Sequence, residues 1–176
     1  MKKLICAFVI LVLGFSQADA QQVQQSMTVE QAYSAIPHKK TRFDAASALM
    51  AERDLLNVFF GLTDLAVTER VSTMVSIRNG VAYRDNYDAI LQRLAALPVP
   101  DKLKRAHQLI TEAVREQREY LALMAKGEAF NRGAPLVQSS HRKLVAAYSD
   151  LMRLYPQESA HNKTAFFDHL CALDFI

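Results

Sequence analysis

The sequence predicts an all-α fold: an up-and-down antiparallel helical bundle of four main helices, with short N- and C-terminal helices packed on it. Three observations predict this. Apolar residues recur at spacings of three, four and seven over long stretches. Those stretches stop at Pro, Gly or Asn-Gly, and the connections between them are short. No run alternates apolar and polar residues as a half-buried strand would. The composition agrees, because 176 residues that are 51% hydrophobic, with five Gly and five Pro, suit one packed core rather than a disordered polymer.

The first twenty residues read as an address. Met1-Lys2-Lys3 is a basic start, Leu4–Leu13 is an apolar run, and Ala18-Asp19-Ala20 has the small-residue form of a cleavage site. The run is shorter than the ~20 residues that cross a bilayer, so the reading is a cleaved secretory signal peptide over 1–20. The mature chain then begins at Gln21, with a flexible polar leader over 21–27 and one helical domain over 28–176. Export to the periplasm is the expected location, and nothing later in the sequence is long and apolar enough to span a membrane.

The helices follow in order. Thr28-Val29-Glu30-Gln31 fits a capping box opening a short helix that Pro37 ends. Ile36 to Phe43 is a basic loop, after which Asp44 is placed to cap a helix beginning at Ala45. Leu49, Leu56, Phe59, Phe60, Val67, Val71 and Met74 form the apolar stripe of that segment, which runs to Asn79-Gly80. Gly61 could divide residues 44–78 into two helices, and the sequence leaves both forms open. Tyr83, Tyr87, Ile90, Leu91, Leu94 and Leu97 line the next helix, which Pro98 and Pro100 terminate. Asp101 is expected to cap a long helix ending at Gly127, and Pro135 to open another that Pro156 stops. A last helix covers about Ser159 to Leu173, and the apolar Phe175 and Ile176 are expected to dock onto the body.

Charge and cysteine content narrow the function. Cleavage would remove two positive charges and one negative from a formal net charge of +3, leaving +2. A nearly balanced exported chain with no dense basic face argues against nucleic acid as partner. Cys6 would leave with the signal, so Cys171 would be the one mature cysteine and no internal disulfide could form. Its neighbours Phe167, Leu170 and Leu173 favour burial over an intermolecular bond.

No catalytic constellation stands out. The histidines His38, His107, His141, His161 and His169 show no metal-ligand spacing on one helix face, so no metal or cofactor is expected. Covalent haem would need Cys-x-x-Cys-His, which is missing from the sequence. A non-covalent b-type haem held by Met50 and His169, or a metal at His107, His141 or His169, is the less favoured alternative. Ser139-Ser140-His141 places hydroxyls beside an imidazole in sequence, but adjacent helical residues do not face each other.

Two binding sites are therefore expected. His38, Lys39, Lys40, Arg42 and Phe43 make a basic loop able to grip an acidic partner or an anionic group. Tyr83, Tyr87, Tyr120 and Tyr148 would line a small-ligand pocket if their hydroxyls turn into a cavity between helices. The expected function is a non-enzymatic accessory or adaptor of an envelope or secreted complex, contacting another protein or a small ligand, with a homodimer also open to it. A ligand sensor or carrier is the alternative.

Overall fold

The computed structural model describes residues 28–34 and 41–175. The expected signal peptide and polar leader, the expected stop at Pro37, the residues His38, Lys39 and Lys40, and the terminal Ile176 lie outside the described residues. Among the described residues there are six helices and no strand, an all-α architecture. None of these helices is long and apolar enough to cross a membrane.

Helix α1 (Val29–Ser34) starts on the capping box. The Gln31 amide donates to Thr28 Oγ1 at 3.1 Å, and the Thr28 amide donates to Gln31 Oε1 at 2.9 Å. Helix α2 (Arg53–Arg78) is unbroken through Gly61. It ends where Gly80 takes a positive φ of 67° and the Val81 amide reaches back to the Ser76 carbonyl at 2.8 Å. Helix α3 (Tyr87–Ala95) has nine residues. Helix α4 (Asp101–Ala125) closes at Gly127, whose φ of 106° lets the Glu128 amide bond the Leu123 carbonyl. Helix α5 (Pro135–Leu154) opens on its proline, and α6 (Ala160–Leu173) is capped by Ser159 Oγ, which accepts from the Asn162 amide.

Three boundaries differ from the sequence reading. Residues 41–52 form a strap, not the start of α2, and the helix begins eight residues after Ala45. Asp44 does cap, but only the single turn 45–47, through the Ala46 and Ser47 amides. Leu49, expected in the core stripe, is 71% exposed, whereas Ala48 and Met50 on either side are buried. Tyr83 precedes α3 in an extended stretch, because the Asp85 carboxylate takes the Tyr87 amide and fixes the helix start there. Asp101 lies inside α4, and Pro100 occupies the cap position.

Contacting pairs set the directions of the helices. Arg105 meets Asp150 while Lys143 meets Glu116, so α4 and α5 are antiparallel. Glu52 meets Lys102 and Phe59 meets His107, so α2 and α4 run the same way. Phe60 stacks on Phe166 while Arg70 reaches Ala172 and Leu173, which aligns α6 with α2. Helix α6 is therefore part of the packed body, with Phe166 and Leu173 fully buried, and not an accessory laid upon it.

Gly61 survives mid-helix because its neighbours Phe59, Phe60, Leu62 and Thr63 are all buried, and tertiary burial outweighs the weak local propensity. A Cβ built at Gly61 meets nothing within 4 Å. Gly61→Ala should therefore raise stability by about 1 kcal/mol, a gain of roughly 2–4 °C in Tm. Thermal unfolding followed by circular dichroism checks it, and an unchanged or lower Tm would refute it.

Candidate functional site

The strap is held along α6 by side chains far away in sequence. Thr41 donates to Asp168 Oδ2 from its amide (3.0 Å) and its hydroxyl (2.6 Å). His161 Nε2 lies 3.0 Å from the Arg42 carbonyl. Asn162, fully buried, accepts from the Asp44 amide and donates to the Asp44 carbonyl. Glu158 accepts from the Leu49 amide at 3.0 Å. The strap thus runs antiparallel to α6, and Arg42 is exposed at one flank of that helix.

Phe43 behaves otherwise than a binding residue. It is buried, with its ring 5.5 Å from Phe166 and 5.6 Å from Phe60, and it nails the strap to the core. The sequence reading grouped it with the basic loop because charge and aromatic residues sat together. Of that loop, only Arg42 is both described and exposed.

The Glu158 carboxyl, which anchors the strap at Leu49, titrates below its usual range. Burial opposes its charge, but bonds from the Ser159 amide, Asn162 and the Leu49 amide outweigh burial and hold the carboxyl below its usual range. A carboxylate depressed in the folded state contributes stability that is present above its unfolded value, about 4.3, and lost as pH falls through the folded value. Protection of the Leu49 amide from hydrogen exchange should therefore drop near pH 3 relative to pH 6, after correction for intrinsic rates. Glu158→Gln should flatten that dependence. Equal protection at both pH values in the parent chain would refute it.

On the far side of α6 from the core lies an outward stripe, Ala160, Thr164, Phe167 and Cys171, at helical spacing. Helix α5 borders it. Tyr148 meets Phe167 edge to face at 5.7 Å, and His141 Nδ1 contacts Asp174 at 2.5 Å, so the two helices are antiparallel here. That register sets Val145 opposite Leu170 and Cys171. Val145 and Phe167 are 52% and 42% exposed, large values for apolar side chains on one surface.

On helices α5 and α6 the exposed charge has one sign. Helices α5 and α6 each contain a single acidic residue, Asp150 and Asp168, and both are buried. Asp150 is taken by Arg105 and Arg153, and Asp168 by Thr41. Asp174, just past α6, is turned toward His141. Arg142 and Arg153 are exposed on α5, His161 is exposed on α6, and Lys163 is half-buried beside them. Arg42 adds a further cation across the stripe.

The four tyrosines are not brought together. Tyr83 is half-buried before α3, and Tyr87 is buried with its hydroxyl donating to the Ala66 carbonyl at 3.3 Å. The Tyr120 hydroxyl accepts from the Asn131 amide at 2.6 Å and so pins the α4–α5 connection. Tyr148 belongs to the α5–α6 face. A recess does form elsewhere, between α2 and α4, lined by Leu55, Phe59, Leu97, Leu103 and His107, but it has room for about one water molecule.

The described histidines each hold a local contact. His107 Nε2 meets the Leu94 carbonyl at 2.9 Å, and burial, partly offset by that bond, holds its pKa below the ordinary value. His169 is buried with Nδ1 at 2.9 Å from the Ala165 carbonyl and its ring 4.9 Å from Phe60. Among the described residues, no three His, Cys, Asp or Glu side chains gather in a way that could hold a metal ion. Cys171 is half-buried, and burial, with Asp174 and Asp168, pushes its thiol up, away from the reactive thiolate.

The chain matches no protein-family model, no curated protein and no solved structure. Sequence reasoning missed the α5–α6 face because Arg42, Arg142 and Lys163 are far apart along the chain. The local signal is weak: the segments of helices α5 and α6 hold one acidic residue each, Asp150 and Asp168.

Proposed function

We propose that this chain is an exported, periplasmic helical protein that acts by binding rather than catalysis, as an accessory or adaptor of an envelope or secreted complex. The signal-like residues 1–20 support the export, and the α5–α6 face supports the binding role. A single observation carries it: an exposed apolar centre, Val145 and Phe167, flanked by cations on helices whose acidic residues are all buried. Such a face is poor as a mere solvated surface and well suited to a complementary partner.

The test is native mass spectrometry of the protein purified from its own exported compartment. A mature chain beginning at Gln21 with a second component attached is expected. Phe167→Ser should weaken that complex at least about tenfold, as loss of an aromatic anchor does. It should change stability by no more than about 1 kcal/mol, because the ring is already partly in water. A bound haem or small ligand retained by Phe167→Ser would overturn the reading in favour of a carrier.

A further inference from the structure

We propose, building on the binding role above, that the α5–α6 face seats this protein peripherally on an anionic phospholipid surface. Arg42 lies on the strap along α6 and Arg142 and Arg153 are exposed on α5, with Lys163 on α6 donating to the Pro156 carbonyl, and the rings of Phe167 and Tyr148 meet between the two helices. Arg and Lys stems are long enough to place charge among headgroup phosphates while an apolar side chain between them enters the boundary layer. Asp44, an exposed carboxylate of the strap, is turned into its own turn and bonded by the Ala46 and Ser47 amides.

The shape favours a bilayer over a protein. The face is the outer side of two helices and a strap, and a bilayer needs neither a cleft nor a register between individual charges. A stable protein interface covers roughly 800 Å² per partner around a dry apolar core. Two half-exposed apolar side chains make a small centre for that, but enough for interfacial contact when cations supply the attraction. Each Lys or Arg held at an anionic surface changes partitioning by about fivefold.

The experiment is co-sedimentation of the purified chain with vesicles of phosphatidylcholine alone or with roughly one-third phosphatidylglycerol. Binding to the anionic vesicles alone is expected, with release at about 0.5 M salt, where the screening length falls to a few ångströms. The double variant Arg42→Gln/Arg142→Gln should lower partitioning about 25-fold, two charges at fivefold each. Phe167→Ser should lower it further, and Arg115→Gln on α4 should leave it unchanged. Circular dichroism confirms that each variant keeps its helices.

Failure to bind anionic vesicles at low salt overturns the lipid assignment, as does binding that the double variant leaves intact. If vesicles are ignored while Phe167→Ser still dissolves a native complex with a protein, the occupant is an acidic protein. The binding role then stands without the membrane. If neither vesicles nor a native complex responds to Phe167→Ser, both readings fail together.

Discussion

Phe60→Ala should lower the stability of the chain by about 4 kcal/mol, which for a domain of this size is a fall of roughly 8–16 °C in Tm. Phe60 is 2% exposed and meets four rings: Phe43, Phe59, Phe166 and His169, at 5.6, 5.9, 5.2 and 4.9 Å. Truncation removes the transfer energy of a buried phenyl group and leaves a cavity among rigid aromatic neighbours that cannot collapse into it. It also strips Phe43 of one of the two rings packed on it among the described residues, so the strap should exchange its amides faster than the rest of the molecule. Phe60→Leu separates volume from ring geometry. Leucine restores most of the apolar volume, so its loss should be about half that of alanine. Equal losses for the two variants would place the effect in the ring contacts alone. Denaturant unfolding of both variants measures it, and a loss under about 1.5 kcal/mol for alanine would show that the cluster repacks.

The same cluster shows which parts of the structure could be read from the sequence. Leu56, Phe59, Phe60, Val67 and Val71 are all buried, because helical periodicity is a local property that the residues themselves express. The segment just before them is different. Ala45-Ala46-Ser47-Ala48 has good helix formers, yet residues 41–52 form a strap because Asn162 and Glu158 take the Asp44 and Leu49 amides. Those partners are 118 and 109 residues away, and no local pattern announces them. The alternation of buried Ala48, exposed Leu49 and buried Met50 is the mark of an irregular segment laid on a surface.

The functional face divides in the same way. The basic character of the segment before α2 was visible, and Arg42 is indeed exposed. Phe43 instead joins the core, because sequence adjacency says nothing about which side of a strap a ring takes. Helices α5 and α6 hold one acidic residue each, and what that means for the surface depends on Asp150 and Asp168 being buried and paired. Burial of a carboxylate is a tertiary fact. Only the fold turns a modest net charge into two helices whose exposed charge has one sign.

The second large effect is expected at Arg70, a cation buried at 6% exposure within the packed ends of α2 and α6. Its guanidinium donates to the carbonyls of Ala172 (2.6 Å), Leu173 (2.7 Å) and Asp174 (2.7 Å), and lies 5.3 Å from the centre of the Phe175 ring. The last turn of a helix leaves carbonyls without partners and carries partial negative charge, so a planar cation with several donors serves both needs at once. Gln117 Nε2 also donates to the Leu173 carbonyl, at 2.5 Å, and it would remain after Arg70 is replaced. Arg70→Met removes the cost of burying a charge but leaves Ala172 and Asp174 without their donor. The balance is an expected loss of about 3 kcal/mol, since a buried acceptor left unsatisfied costs about 1–3 kcal/mol. Arg70→Ala adds a cavity and should lose more. Arg70→Lys keeps the charge but not the fork, so it should fall between the parent and Met. The measurement is urea unfolding together with hydrogen exchange over residues 170–175, where Met and Ala should both free the C-terminal turn and undock Phe175. A Met variant as stable as the parent, with the turn still protected, would show that the guanidinium only fills space there.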